Sequence, residues 1–130
     1  MEVGITGDHS FVVTKEMLAS QAGSGTVDVF STPVMIAQME GTAMRSVMPY
    51  LGEGKATVGI HLDVRHLDAT PEGMKVSIHT ELKEIRENGK FLTFTVEARD
   101  ERGVIGSGIH ERAIITIDRF MEKVNEKKNA

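Results

Sequence analysis

The 130-residue sequence predicts an α+β architecture, with one long helix followed by an antiparallel meander of strands that curls around it. Three observations predict it. A single clear helix-start signal opens the stretch "STPVMIAQMEGTAMRSVMPYL". Long strand-like runs follow at about 55–67, 73–86, 90–100 and 103–117. Between two of them sits Asn88-Gly89, the dipeptide that favours a two-residue hairpin turn.

Ahead of the helix, "FVVT" (Phe11 to Thr14) reads as a short first strand, "KEMLASQA" as a short helix and "GSGTVD" as a flexible connector. Thr32 is placed to cap the long helix, and Pro33 suits the first helical position, where a missing N–H is harmless. The helix should end near Pro49. Its apolar residues Val34, Met35, Ile36, Met39, Met44, Val47 and Met48 point nearly all round, and such a helix is expected to be buried on every side. Only Gln38, Glu40, Thr42, Arg45 and Ser46 interrupt it, while Ala37, Gly41 and Ala43 allow close approach.

Among the strands, Leu92, Phe94, Val96 and Ala98 alternate with Thr93, Thr95 and Glu97, so one face should be covered and the other half-wet. "DERG" at 100–103 should turn the chain into the last strand, and "DRFMEKVNEKKNA" reads as a short amphipathic helix fraying into charge. The strands exceed the usual five or six residues. A flat sheet covers only one side of a helix; long twisted strands can curl partly around it, and a second subunit can supply the rest. That arrangement is the hot-dog fold, expected here as a single domain over 1–130 that dimerises edge to edge.

Composition narrows the function. The formal net charge is −4 with no long basic run, which argues against nucleic acid or an anionic membrane surface as a partner. There is no cysteine, so thiolate catalysis and Cys-ligated zinc are excluded, and a reducing cytoplasm is expected. "MEVGITGDHS" lacks the pattern of a secretory signal, and no apolar run approaches membrane-spanning length.

Several residues carry possible chemistry. Glu40 is a carboxylate in the middle of a greasy helix; burial raises the pKa of such a group and makes it a better base or nucleophile. A carboxylate simply satisfied by Arg45, His66 or a backbone group is the plainer alternative. Thr32 is an ordinary cap on residue type, though free N–H groups at a helix start also stabilise a developing oxyanion. Thr32 and Glu40 lie eight residues apart, about 12 Å along a continuous helix. They can share one acyl group only if the chain bends at Pro33 or if one of them acts across a dimer interface.

His66, at the end of a predicted strand, can exchange a proton near pH 7, although a lone strand histidine is more often structural. His61, an odd number of residues earlier, should lie on the opposite face. Gly59 weakens a strand and usually permits a bulge or close backbone approach. Arg112, leading into "AIITI", needs a partner because an unpaired buried charge is costly. A carboxylate, carbonyl or phosphate would suit it, and so would an ion pair with Glu111 or Asp118. His110 and Glu111 read as outward-facing or pairing groups. No ligand spacing supports a metal site built from His61, His66, His79 and His110.

Three stretches, "VFSTPVMIAQMEGTAMRSVMPYL", "VGIHLDVRHLDATPEG" and "GSGIHERAIITIDRFMEKV", taken in this order and spacing, resemble the hot-dog thioesterases of the fluoroacetyl-CoA thioesterase type. The resemblance runs from about Val29 to Lys123. It implies hydrolysis of an acyl-CoA thioester by a homodimer, with pairing into tetramers left open, and with no cofactor beyond the coenzyme A of the substrate. It also implies that Thr32, Glu40 and His66 match the catalytic threonine, glutamate and histidine, and that Gly59 and Arg112 match substrate-side positions. The family enzyme shapes its acyl pocket with a bulky aromatic lid ahead of the helix. Here that region is "SQAGSGTVDVF", with Phe30 its one aromatic, so fluoroacetyl specificity does not carry over with the fold. Two other functions fit the same fold: dehydration of 3-hydroxyacyl thioesters, suggested by the His and Asp of "RHLDAT", and non-catalytic acyl-CoA binding.

Overall fold

The computed structural model describes residues 1–129. In chain order, β1 (Thr6–Val12) leads through a 3-10 turn (Lys15–Met17) and a one-turn helix α1 (Ala19–Ala22) to the long helix α2 (Thr32–Val47). A second 3-10 turn (Met48–Tyr50) precedes β2 (Lys55–His66), β3 (Lys75–Arg86), β4 (Phe91–Asp100) and β5 (Gly103–Thr116). Helix α3 (Ile117–Asn125) and a last 3-10 turn (Glu126–Asn129) close the chain. The strands form one antiparallel sheet in the order β1-β3-β4-β5-β2, with α2 laid across it. This is the hot-dog arrangement of an α+β fold.

The strand bounds fall within two residues of the expected runs from β2 onward. Asn88 and Gly89 both take positive φ, 58° and 88°, and Lys90 N–H donates to the Glu87 carbonyl across the turn. At the next turn the Asp100 carboxylate accepts from the N–H groups of Arg102 and Gly103, so a short polar side chain closes the reversal. The first strand departs from expectation. It occupies Thr6–Val12 rather than Phe11–Thr14, because ladder pairing with β3, from Thr6 opposite Glu81 to Val12 opposite Lys75, draws a polar stretch into the sheet. "KEMLASQA" likewise splits into the 3-10 turn and α1.

Helix α2 is the second departure. Met35, Met39, Ala43 and Val47 are fully buried against Val76, Ile78, Leu82, Leu92, Phe94 and Ile105 of the sheet. The opposite side of the helix is not covered within one chain: Ile36 and Met44 are half-buried and Ala37 is exposed. Burial on every side is therefore not met by a single chain, because the sheet curls past only one flank. Met35 seats tightly on β5, where a Cβ at Gly106 would come within 2.6 Å of its sulfur. Strand β2 is likewise half-finished. It has one neighbour, β5, and beyond a register shift between Gly59 and His61 both its faces are largely exposed, including Ile60 at 49% and Leu62 at 40%. Among the described residues no helix is long and apolar enough to cross a membrane.

Candidate active site

The helix start supplies the first cluster. Ser31, not Thr32, caps α2: its hydroxyl accepts from Val34 N–H at 3.3 Å and its carbonyl from Met35 N–H. Thr32 is the first helical residue and Pro33 the second, which corrects the expected cap by one position. The correction matters chemically. Released from capping, the Thr32 hydroxyl lies 2.7 Å from His66 Nδ1. Pro33 has no N–H and Val34 and Met35 are satisfied by Ser31, so Thr32 N–H is left without an intrahelical acceptor.

His66 ends β2, with its ring edge-on to Phe30, 6.4 Å between centroids. Burial pulls its pKa below the ordinary value, outweighing the Asp68 backbone and carboxylate that favour the charged form. The imidazole is therefore neutral at pH 7, and the tautomer with the proton on Nε2 has its Nδ1 lone pair free for the Thr32 proton. An open cleft of about 410 Å³ adjoins the pair, lined by Phe30, Ser31, Thr32, His66, Leu67 and Asp68 among others.

The second cluster sits half-way along α2. Glu40 faces Gly59 on β2 and His110 and Arg112 on β5, with Gly59 directly opposite Arg112 in the ladder. A Cβ on Gly59 would stand 2.5 Å from Glu40 Oε2, so only glycine lets the carboxylate approach the strand. Arg112 is 5% exposed and well supplied with acceptors. Its Nε–H donates to Thr57 Oγ1 at 2.8 Å, one terminal nitrogen to the Thr57 carbonyl at 2.9 Å, and the other to His110 Nε2 at 3.0 Å. That last nitrogen lies 3.7 Å from Glu40 Oε2, an ion contact longer than a hydrogen bond. Burial draws the Arg112 pKa down and the Glu40 carboxylate opposes it.

Arg112 is therefore not paired with Glu111 or Asp118; Glu111 accepts from Arg86 instead. Nor is Glu40 satisfied by Arg45 or His66. Its side chain is 35% exposed in one chain, so it is flanked rather than enclosed, and the full burial expected for it is not reached. His110 corrects a further expectation: it is fully buried, because residues two apart on β5 share the inward face and His110 therefore accompanies Arg112. Sequence reasoning also missed Thr57, whose value as a double acceptor rests on the β2–β5 register alone.

Thus Thr32 meets His66, and Glu40 meets Gly59 and Arg112, but the two sets do not meet within one chain. Helix α2 is continuous from Thr32 with no bend at Pro33, which leaves about 12 Å along its axis between Thr32 and Glu40. Along β2, Gly59 and His66 stand roughly 20 Å apart. Among the described residues no group of three or more His, Cys, Asp or Glu could hold a metal ion.

Comparison with known proteins identifies the family. The model of the FlK family, described as fluoroacetyl-CoA-specific thioesterase, matches residues 13–118. The fluoroacetyl-CoA thioesterase of Streptantibioticus cattleyicolor is 35% identical, over 100% of this chain and 96% of its own. A solved structure of the fluoroacetyl-CoA thioesterase FlK superposes with a TM-score of 0.91 at 34% identity, covering 98% of this chain and 97% of that one. A variant of FlK solved in complex with acetyl-CoA superposes with a TM-score of 0.90 at 34% identity, with 98% of both chains covered. A family match over residues 13–118 and a 35% identical relative spanning the whole chain make this chain a member of the fluoroacetyl-CoA-specific thioesterase family.

Proposed function

We propose that this chain hydrolyses acyl-CoA thioesters to free acid and coenzyme A, at sites built from two copies of the chain. The observation that carries the reading is the 2.7 Å contact between the Thr32 hydroxyl and a neutral His66. A hydroxyl is a poor nucleophile until a base takes its proton, and this pairing supplies the base. Thr32 Oγ attacks the thioester carbonyl carbon while His66 Nδ1 accepts the proton. The tetrahedral oxyanion is held by Thr32 N–H at the helix start, where the helix dipole favours negative charge. Collapse breaks the C–S bond, His66 returns its proton to the sulfur, and coenzyme A leaves. Glu40 then takes a proton from a water whose oxygen attacks the acyl-threonine carbonyl carbon. The ester C–O bond to Thr32 breaks, the proton passes to Thr32 Oγ and the free acid leaves, with the Arg112 guanidinium beside Glu40 and Gly59 leaving room for the carboxylate.

Glu40 acts in this scheme on a neighbour's acyl group. The outer edge of β2 has no partner strand in one chain, and Ile60 and Leu62 project from it with much of their surface bare. Antiparallel pairing with a second β2, about a two-fold axis midway between Gly59 and His66, brings Glu40, Gly59 and Arg112 towards the partner subunit's Thr32 and His66. The same pairing brings the uncovered flanks of the two α2 helices together. We assign the chain to the cytoplasm, as a single hot-dog domain in a homodimer, with coenzyme A entering only as part of the substrate.

The test is thiol release from acetyl-, haloacetyl-, branched, aromatic and long-chain acyl-CoAs. Thr32→Ala, Glu40→Gln and His66→Ala should each lower kcat by about a hundredfold or more. Mixing Thr32→Ala with Glu40→Gln after reversible dissociation should restore about a quarter of wild-type activity, since half the dimers become mixed and each mixed dimer regains one intact site. No turnover of any substrate would end the hydrolase reading. Wild-type rates in Glu40→Gln would remove Glu40 from the site, and no recovery on mixing would return each site to a single chain.

A further inference from the structure

The mechanism above leaves one buried titratable group unused. His110 has no exposed surface, yet both its ring nitrogens are engaged. Nδ1 lies 2.9 Å from the His61 carbonyl oxygen, and Nε2 lies 3.0 Å from a terminal nitrogen of Arg112. A carbonyl oxygen can only accept and a guanidinium can only donate. Nδ1 must therefore carry the proton and Nε2 must be bare, so the two partners dictate one neutral tautomer.

We propose that His110 is a positioning residue for this reaction, which fixes the Arg112 guanidinium, and through it the Glu40 carboxylate, by keeping Nε2 as an acceptor. The inference rests on the reading of Glu40 and Arg112 given above. The guanidinium is a rigid plane, and Thr57 holds only two of its three nitrogens, Nε and one terminal nitrogen. The third nitrogen is the one 3.7 Å from Glu40, and His110 is what holds it. Two contacts to one residue still let the plane tilt about the line that joins them, and without the His110 acceptor the nitrogen nearest the carboxylate would swing with that tilt. Placement of a reacting group within fractions of an ångström decides its rate.

The surroundings of His110 keep it in the required state. On β5 it has Arg112 and Glu111 as neighbours, from α2 it is faced by Glu40 at 3.9 Å, from β2 by the His61 carbonyl, and from β4 by the ring of Phe94. Burial lowers its pKa below the ordinary value and the Arg112 cation adds to this, against the His61 carbonyl and the Glu40 and Glu111 carboxylates. Protonation would turn Nε2 into a donor aimed at a donor and set two cations side by side. Glu40, closer to Arg112 than to His110, would then be drawn towards the imidazolium.

The tautomer can be read on wild-type protein by ¹⁵N NMR of labelled imidazoles. His110 should show a protonated Nδ1 and a bare Nε2, and should keep them when exposed histidines have already titrated. A protonated Nε2 at pH 7 would overturn the proposal whatever the variants do. In kinetics, His110→Leu should lower kcat about tenfold to a hundredfold, with KM within about twofold of wild type, since a transition-state interaction is what is lost. His110→Gln, which can present an amide oxygen near the position of Nε2, should recover most of that loss. In an Arg112→Ala background His110→Leu should cost nothing further, because the residue acts through Arg112. Wild-type kcat in His110→Leu, equal losses in the Gln and Leu variants, or additive losses with Arg112→Ala would each overturn the proposal. Failure confined to the His110 variants would leave Glu40 in its role, whereas a fully active Glu40→Gln would bring down that role and this inference together.

Discussion

Glycine at position 59 shows how one missing methyl group sets the chemistry around it. The nearest atoms to a Cβ there would be Glu40 Oε2 at 2.5 Å, His110 Cε1 at 3.2 Å and an Arg112 terminal nitrogen at 3.4 Å. All three belong to the polar cluster, so the space that glycine leaves is filled by a carboxylate instead. Gly59→Ala is expected to cost about 1–3 kcal/mol of stability through overpacking. It should cost activity out of proportion, because the group able to yield is the end of the Glu40 side chain. Urea unfolding alongside thiol release separates the two effects; a variant with wild-type kcat would show that Glu40 does not need this approach. A glycine in a strand is visible in the sequence, but what lies against it is not.

Among the elements, α2 carries both halves of the site, and its first turn decides which hydroxyl is free. Two adjacent hydroxyl residues, Ser31 and Thr32, compete for the cap, and either satisfies the sequence rule. The structure gives the cap to Ser31, which is 1% exposed, and turns Thr32 outward to His66. Ser31→Ala should therefore lower stability by about 1 kcal/mol, seen as a reduced urea midpoint. If Thr32 were the working cap instead, Ser31→Ala would leave the midpoint unmoved. The strand β2 was legible as a strand from its composition. Its bareness on two faces and one edge was not, since that depends on where the sheet stops curling.

Across the whole molecule, half-buried His66 and fully buried His110 tie stability to pH. His66 and His110 both have pKa values lowered in the fold, chiefly by burial. The unfolded chain, with ordinary values near 6.5, binds more protons than the native one as the pH falls. Their contribution is therefore complete above about pH 6.5 and is lost as the pH drops through the native values. The urea midpoint should be lower at pH 5 than at pH 8, measured at one fixed protein concentration so that dimer dissociation does not intrude. A midpoint that rises on acidification across this range would mean that the fold holds neither histidine neutral. Activity should fall over the same window, because protonated His66 cannot take the Thr32 proton.

What the sequence determined alone is what rests on local rules. The long helix with its proline start, the strands from β2 onward, the Asn88-Gly89 turn and the alternation along β4 follow from neighbours in the chain, where propensity and periodicity act. The candidate residues Thr32, Glu40, His66, Gly59 and Arg112 were legible from a family resemblance, which supplies identity without geometry. Tertiary structure decided the rest. The polar first strand exists because β3 pairs with it, and His110 points inward because the β5 register puts it beside Arg112. Thr32 and Glu40 stay apart because α2 runs straight. Each of these outcomes depends on contacts between residues distant in sequence, whose energies appear only once the sheet has closed over the helix.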